Sequence, residues 1–167
     1  MSNVTLPNKS ALGWLWLSVT IVLVDLASKY WVSSVLTYNS PVELLPIFDL
    51  RLLHNTGAAF SFLASEEGWQ RWLFVAIAIV VSLFIVRWLK QTDSSDCLLA
   101  SGYALILGGA LGNLFDRIVH GHVVDFISVH YQGWYFPAFN VADIAITLGA
   151  AALIVDALGF FKSKSEI

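Results

Sequence analysis

Charged residues and cysteine are scarce in this chain of 167 residues. Only 13% of the residues are charged and 57% are hydrophobic, whereas about a quarter of a soluble globular domain is charged. With a mean hydropathy of +0.73, this composition predicts a membrane protein. The net charge of −3 argues against nucleic acid as a partner. The single cysteine, Cys97, excludes an intramolecular disulfide and a cysteine metal cluster.

Four apolar stretches are long enough to span a bilayer, which takes about 20 residues. They cover roughly residues 11–36, 69–89, 97–117 and 138–161, and they leave outer segments at 37–68 and 118–137. The length favours one integral-membrane domain over residues 1–167. Positive residues near the membrane number five on the side of the termini (Lys9, Arg87, Lys90, Lys162 and Lys164) and three on the other (Arg51, Arg71 and Arg117). This bias predicts that both termini lie in the cytoplasm.

The outer segments carry patterns of their own. Residues 46–55 and 121–131 have the composition of β-strands, and residues 57–69 predict a short amphipathic helix along the membrane surface. Pro137 suits the first turn of the fourth helix. The outer side is therefore expected to be structured.

Two acids, Asp125 and Asp143, lie in apolar surroundings with no lysine or arginine within four positions. A charge at membrane depth costs about 2.5–3.5 kcal/mol, so such residues are functional candidates. Structural alternatives exist: Asp125 could reach water at the interface, and Asp143 could cap a helix that begins after Asn140. Two carboxylates in one low-dielectric site cannot both ionise easily, so they supply an acid and a base together. That pairing suits hydrolysis by an activated water.

Further polar residues accompany the apolar stretches. Asp25 and Lys29 are four residues apart on one helix face, which is typical of an ion pair that neutralises itself. Asn113, Asp116 and Arg117 close the third stretch on one side of the helix. They either serve helix packing and interface anchoring or orient a carboxylate.

Other functional classes have weaker support. The four histidines lack ligand spacing beyond His120-x-His122, so no metal site is predicted. A small transporter or proton channel that relays ions through buried acids is the main alternative. It needs acids spread along a path, whereas most acids here cluster toward one face. A non-catalytic scaffold does not explain two unpaired acids beside asparagines.

Five segments, in order and covering nearly the whole chain, resemble the lipoprotein signal peptidase (signal peptidase II) family. They are DLASK (25–29), NTGAAFSFL (55–63), GGALGNLFDRI (108–118), VVDFI (123–127) and FNVADIAI (139–146). Each segment is short, but five in register are specific. The resemblance implies an all-α membrane protein with four transmembrane helices, a small extracytoplasmic β cradle and a short interfacial helix.

The resemblance also implies an activity. It implies an intramembrane aspartic endopeptidase that cuts diacylglyceryl-modified prolipoproteins before the lipidated lipobox cysteine, acting as a monomer among membrane lipids in the bacterial inner membrane, without metal or cofactor. The implied catalytic pair is Asp125 and Asp143, near the outer face. The implied supporting residues are Asn55, Asn113, Asp116, Arg117, Asn140 and Asp25. Segment 57–69, with Phe60 and Phe62, is expected to form a lid.

Overall fold

A computed structural model describes residues 9–57 and 68–159. Within these ranges the chain forms helices α1 (Leu15–Val35), α2 (Trp69–Gln91), α3 (Cys97–Val119) and α4 (Val141–Ala157), with a 3₁₀ turn at Ala11–Trp14. Three spans in the described part are long and apolar enough to cross a membrane: Ala11–Val35, Trp69–Gln91 and Cys97–Val119. These agree with the first three predicted stretches to within about two residues at each end.

The surfaces of these helices are apolar on the outside as well as at their contacts. Leu23 of α1 and Leu83 of α2 are 62% and 67% exposed, and many other large hydrophobic side chains share this outward position. Water would penalise such a surface, whereas lipid chains match it. The chain is therefore a helical membrane protein.

A small antiparallel sheet accompanies the helices. Its strands β1 (Val42–Leu45), β2 (Phe48–Asn55), β3 (Val123–Tyr131) and β4 (Trp134–Tyr135) lie in sequence order. The compositions of residues 46–55 and 121–131 predicted β2 and β3 correctly. Gln132 and Gly133 both have positive φ angles, 49° and 83°, as a two-residue hairpin loop requires, and they connect β3 to β4.

The fourth helix starts later than predicted. Its predicted span began at residue 138, with Pro137 in the first turn, but α4 begins at Val141. The backbone of Phe139 exchanges hydrogen bonds of 3.1 and 2.9 Å with Ile127 of β3, which keeps the chain extended until the helix starts. The predicted end of that span lies outside the described residues.

The sheet lies at one end of the helix bundle. β1 and β2 follow the end of α1, and β3 and β4 follow the end of α3. At the opposite end, the chain before α1 pairs with the turn between α2 and α3, where the Ala11 N–H donates to the Thr92 carbonyl at 3.0 Å. Because the helices alternate in direction, the start of α4 also lies at the sheet end.

Glycines let α3 pack closely on its neighbours. A Cβ atom at Gly112 would lie 2.5 Å from Oδ2 of Asp25 in α1, and one at Gly109 would collide with the backbone oxygen of Ala142 in α4. Small residues at these positions allow the helix backbones to approach. The polar side chains of α1, α3 and α4 consequently meet in one layer beneath the sheet.

Candidate active site

The two predicted acids meet at one cavity. Asp125 lies on β3 with only 3% of its surface exposed, and half-buried Asp143 lies in the first turn of α4. Both line a cavity of about 1010 Å³ at the sheet end of the bundle. Residues 18 positions apart in sequence are thus brought to one site by the start of α4 beneath the sheet.

Two buried asparagines connect these carboxylates. The Asn140 side-chain nitrogen donates to Oδ1 of Asp125 at 2.7 Å and to Oδ1 of Asn113 at 3.2 Å. The Asn113 nitrogen in turn donates to Oδ1 of Asp143 at 2.8 Å. The two acids therefore belong to one hydrogen-bonded network.

Asn140 also starts the helix that carries Asp143. Its side-chain oxygen accepts from the Asp143 backbone N–H at 3.0 Å, and the Asn140 N–H donates to Oδ2 of Asp143 at 3.1 Å. This reciprocal capping box confirms the predicted N-cap. The cap fixes Asp143 relative to the helix.

The second carboxylate oxygen of Asp125, Oδ2, is bound by Asn55 of β2. Its side-chain nitrogen donates to Oδ2 of Asp125 at 3.0 Å, and its oxygen accepts from the Gly57 N–H at 3.0 Å. All four oxygens of Asp125 and Asp143 therefore accept hydrogen bonds from amides. Within residues 9–57 and 68–159, neither acid forms an ion pair with lysine or arginine.

This environment favours a proton on Asp125. Burial, followed by the charge of Asp143, raises the pKa of Asp125 to about 6, and the hydrogen bonds from Asn55 and Asn140 oppose the increase. Since the two groups interact, they share their protons as a pair. At about pH 6 the pair therefore holds one proton in a large share of the molecules and offers an acid and a base together.

A second cluster of buried acids is connected to the first pair through Asn113. The Lys29 ammonium contacts Oδ2 of Asp25 at 2.7 Å, Oδ2 of Asp116 at 2.9 Å and Oδ1 of Asn113 at 3.0 Å. The prediction of an Asp25–Lys29 pair is confirmed, but the interpretation that the pair neutralises itself alone is wrong. Three oxygen atoms thus lie within 3.0 Å of the Lys29 nitrogen, as many as the ammonium has N–H groups.

Lys29 is the site residue that the sequence prediction missed. Because an ammonium can only donate, it fixes the Asn113 oxygen toward itself and leaves the Asn113 nitrogen for Asp143. A buried lysine with one acid on its own helix still has N–H donors without an acceptor. This requirement was the feature of the sequence that could have predicted further partners for Lys29. The partners, 84 or more residues away, could not be read from spacing.

The excess negative charge of this cluster is offset by a helix start. Oδ1 of Asp25 accepts from the Ala142 N–H at 2.9 Å, in the first turn of α4, where the helix dipole favours an anion. Oδ2 of Asp116 also accepts from the Val124 N–H at 3.1 Å, beside Asp125. We call Asp25, Lys29 and Asp116 the charged triad. It ties α1, α3, α4 and β3 together.

Arg117 lines the same cavity as the catalytic candidates. It was predicted to share a helix side with Asn113 and Asp116, but Asp116 pairs with Lys29, whereas the Arg117 guanidinium donates to the Gly57 carbonyl at 3.2 Å. It donates to the Asn113 carbonyl at 3.3 Å as well. Burial forces the two side chains toward different partners.

The remaining predicted site features concern the lid and the histidines. Phe60 and Phe62 lie outside the described residues, as does most of segment 57–69. The rings of His54 and His122 stack with centroids 3.9 Å apart, and His120 lies 6.1 Å from His122. In the part of the chain that the structure describes, no group of three or more His, Cys, Asp or Glu side chains is arranged to hold a metal ion.

Apolar helices around a buried pair of acids are typical of a membrane enzyme. The structure is similar to two solved bacterial membrane enzymes, both determined by the in meso method. One, at 2.3 Å resolution, has a TM-score of 0.83 and 27% identity and covers 98% of this chain and 99% of its own. The other, at 1.9 Å resolution, has a TM-score of 0.79 and 28% identity and covers 93% of this chain and 99% of its own.

Sequence relatives identify the family. The model of the signal peptidase (SPase) II family matches residues 17–159. The lipoprotein signal peptidase of Pseudomonas syringae pv. tomato is 56% identical over 168 residues, which cover 98% of this chain and 95% of that protein. The one of Pseudoalteromonas translucida is 51% identical over 152 residues, covering 91% and 92%. The chain belongs to the signal peptidase II family.

This family assignment confirms the resemblance that the five short sequence segments indicated. The protein is a peptide hydrolase of the aspartic class. Its apolar helices and its bacterial relatives indicate a multi-pass protein of the inner membrane.

Proposed function

We propose that this enzyme removes the signal peptide from prolipoproteins whose lipobox cysteine carries diacylglycerol, cutting just before that cysteine. Asp125 and Asp143 are the proposed catalytic pair. The observation that supports this assignment best is their shared cavity, in which amide donors bind all four carboxylate oxygens and, among the residues that the structure describes, no lysine or arginine forms an ion pair with either acid. Such an environment preserves the capacity to exchange a proton.

The proposed mechanism uses the pair with one proton. The ionised carboxylate removes a proton from a water molecule as the water oxygen attacks the scissile carbonyl carbon. The protonated carboxyl group donates its proton to the carbonyl oxygen, which gives a neutral tetrahedral diol. As the carbon–nitrogen bond breaks, the carboxyl that gained the proton from water passes it to the leaving nitrogen. The diol's hydroxyl proton returns to the other carboxylate, so the products are a carboxylic acid and an amine.

The supporting residues have proposed roles that follow from their contacts. Asn55, Asn113 and Asn140 hold the carboxylates in position, and the charged triad fixes Asn113 and the start of α4. Arg117 anchors the Gly57 carbonyl at the cavity. The catalytic geometry thus depends on residues that do not touch the scissile bond.

The proposed topology has four spans, with α4 as the fourth, in a single domain that acts as a monomer. Its 17 residues rise about 26 Å, close to the hydrocarbon thickness of about 30 Å. The bias of positive residues supports cytoplasmic termini and a site near the outer face. With Cys97 replaced by serine, an impermeant thiol reagent should label Ser40→Cys from outside and Ser95→Cys only from inside. Labelling from the same side contradicts this topology.

The proposed reaction is tested with detergent-purified protein and a synthetic diacylglyceryl lipobox peptide. Mass spectrometry should find two products that meet at the bond before the cysteine. An intact peptide, together with proton flux through protein-containing liposomes, would instead favour the ion-relay alternative.

A further inference from the structure

A second arginine lines the active-site cavity and has no role in the mechanism above. Arg51 lies on β2, half-buried, and faces the same cavity as Asp125 and Asp143. Its guanidinium Nη2 and Nε donate to Oδ1 of Asn39 at 2.7 and 3.1 Å. The arginine is therefore held in place at the cavity wall.

The positive charge of Arg51 is not neutralised by a neighbouring acid. Among the residues that the structure describes, no carboxylate lies within ion-pair distance of its guanidinium. Asp49, two residues earlier on the same strand, contacts His130 at 3.1 Å instead. A guanidinium has five N–H donors, and the two bonds to Asn39 leave three for a ligand.

Asn39 makes this arrangement rigid. Its backbone N–H donates to the carbonyl of Leu52, the residue after Arg51, at 2.9 Å. Its φ angle is +59°, a left-handed conformation that asparagine tolerates better than most residues. A guanidinium that is fixed before a ligand arrives loses less entropy on binding.

The position of Arg51 indicates which part of a substrate it meets. Leu53, the strand partner of Asp125, is two residues further along β2, and Asn55, which binds Asp125, is four residues further. Arg51 therefore lies about 7–13 Å along the strand from the Asp125 carboxylate. The bulge between Leu50 and Leu53 shortens this separation. The signal peptide occupies the bilayer, so the chain after the cleavage point must leave over the sheet. An extended chain covers about 7–13 Å in two to four residues, which places the third to fifth residue, counting the cysteine as the first, opposite Arg51.

We propose that Arg51 is a specificity-determining residue that binds an acidic side chain at the third to fifth residue of the mature lipoprotein, counting the cysteine as the first. The inference rests on the proposed function, because it assigns a subsite to the same cavity. A carboxylate suits the planar donors of the guanidinium, which bind carboxylates in two-point contacts. An asparagine at the same substrate position offers neither the charge nor the matching geometry.

The experiment compares lipidated peptides that differ only by Asp or Asn at positions two to six of the mature part. We expect kcat/KM to be about two- to fivefold higher for Asp at positions three to five, which is the range of a partly exposed ion pair. The ratio should fall to one in Arg51→Gln and stay partly in Arg51→Lys. In Asn39→Gly, which keeps the backbone conformation accessible, the ratio should fall although no charge changes.

Arg87→Gln is the matched control, because it removes the same charge from an exposed position on α2, away from the cavity. It should keep the wild-type ratio. A wild-type ratio of one at every position, or an unchanged ratio in Arg51→Gln, overturns the inference. If Arg51→Gln instead lowers cleavage of both peptides only in vesicles with anionic lipid, the guanidinium binds lipid phosphate and the inference is wrong. Failure of the wild type to cleave either peptide would contradict the proposed function itself.

Discussion

The protein holds two sets of buried acids within one polar layer, and their partners differ. Asp25 and Asp116 share the ammonium of Lys29, whereas the hydrogen bonds that Asp125 and Asp143 accept within the described part of the chain come from amides. A cation compensates a buried carboxylate and makes it part of the scaffold. Amide donors orient a carboxylate without adding a positive charge, and burial together with the charge of Asp143 then raises the pKa of Asp125. A buried acid that shares a cation belongs to the scaffold, whereas an acid bound by amides keeps the capacity to exchange a proton.

The largest effect is expected at the amide-bound pair. Asp125→Asn and Asp143→Asn should each lower the turnover of lipidated peptide by about a hundredfold to ten-thousandfold, because acid–base catalysis by one group contributes about 10²–10⁴. Both variants should insert and fold, since an amide is cheaper to bury than a carboxylate and the amide oxygen of Asn at position 143 can still accept from the Asn140 N–H. Asp96→Asn, at an exposed position without a side-chain hydrogen bond to its helix, is the control. Near-normal turnover in either active-site variant would refute the assignment.

Removing the cation should damage the fold more than any change at the pair. Lys29→Met leaves Asp25 and Asp116 buried without compensation, which costs about 3–5 kcal/mol. It also frees the Asn113 amide to turn away from Asp143, so turnover should fall together with the unfolding temperature in detergent. Lys90→Met removes an exposed charge and should change neither quantity. A Lys29→Met protein as stable as the wild type would show that the charged triad is not structural.

A smaller effect should follow from crowding the charged triad without changing its charge. A Cβ atom at Gly112 would lie 2.5 Å from Oδ2 of Asp25, so Gly112→Ala should push that carboxylate from Lys29 and cost about 1–3 kcal/mol. Gly13→Ala, where no atom lies within 4 Å of the new methyl group, is the matched control. Thermal unfolding of both variants measures the difference. Equal unfolding temperatures would mean that α1 and α3 can separate freely at this contact.

The smallest expected effect is a change in activity and stability with pH in the unaltered protein. Asp125 has a raised pKa, so its proton is lost as pH rises through about 6 in the free enzyme. The proton-sharing pair then becomes doubly charged, and kcat/KM should decline on the alkaline side. For the same reason Asp125 stabilises the fold at low pH, and this contribution disappears between its unfolded value near 4 and about 6. In Asp125→Asn that part of the stability profile should be flat, and a profile identical to that of the wild type would contradict the assignment.

Much of this site could be predicted from the sequence, because its signals are local. Asp125 and Asp143 stand out as acids in apolar segments, and Asn140 precedes Asp143 by the spacing of a helix cap. The strand compositions likewise marked β2 and β3. These features depend on neighbouring residues, which a single sequence displays.

The features that could not be predicted depend on distant contacts. The second and third partners of Lys29 lie on α3, and the late start of α4 results from pairing of Phe139 with Ile127. The edge strands β1 and β4, of four and two residues, are too short for a pattern to appear. These features depend on how the helices and the sheet pack together, which the sequence alone does not show.

The most direct test of the difference between the two sets is a titration of the Asp125 carboxyl group. Carbon-13 NMR of protein labelled at the aspartate carboxyl carbons would follow its signal, identified by its absence in Asp125→Asn. The environment described here predicts a midpoint at about pH 6. A midpoint at the ordinary aspartate value near 4 would contradict it, because the pair would then be almost fully ionised at pH 6 and would lack the acid that the proposed hydrolysis requires.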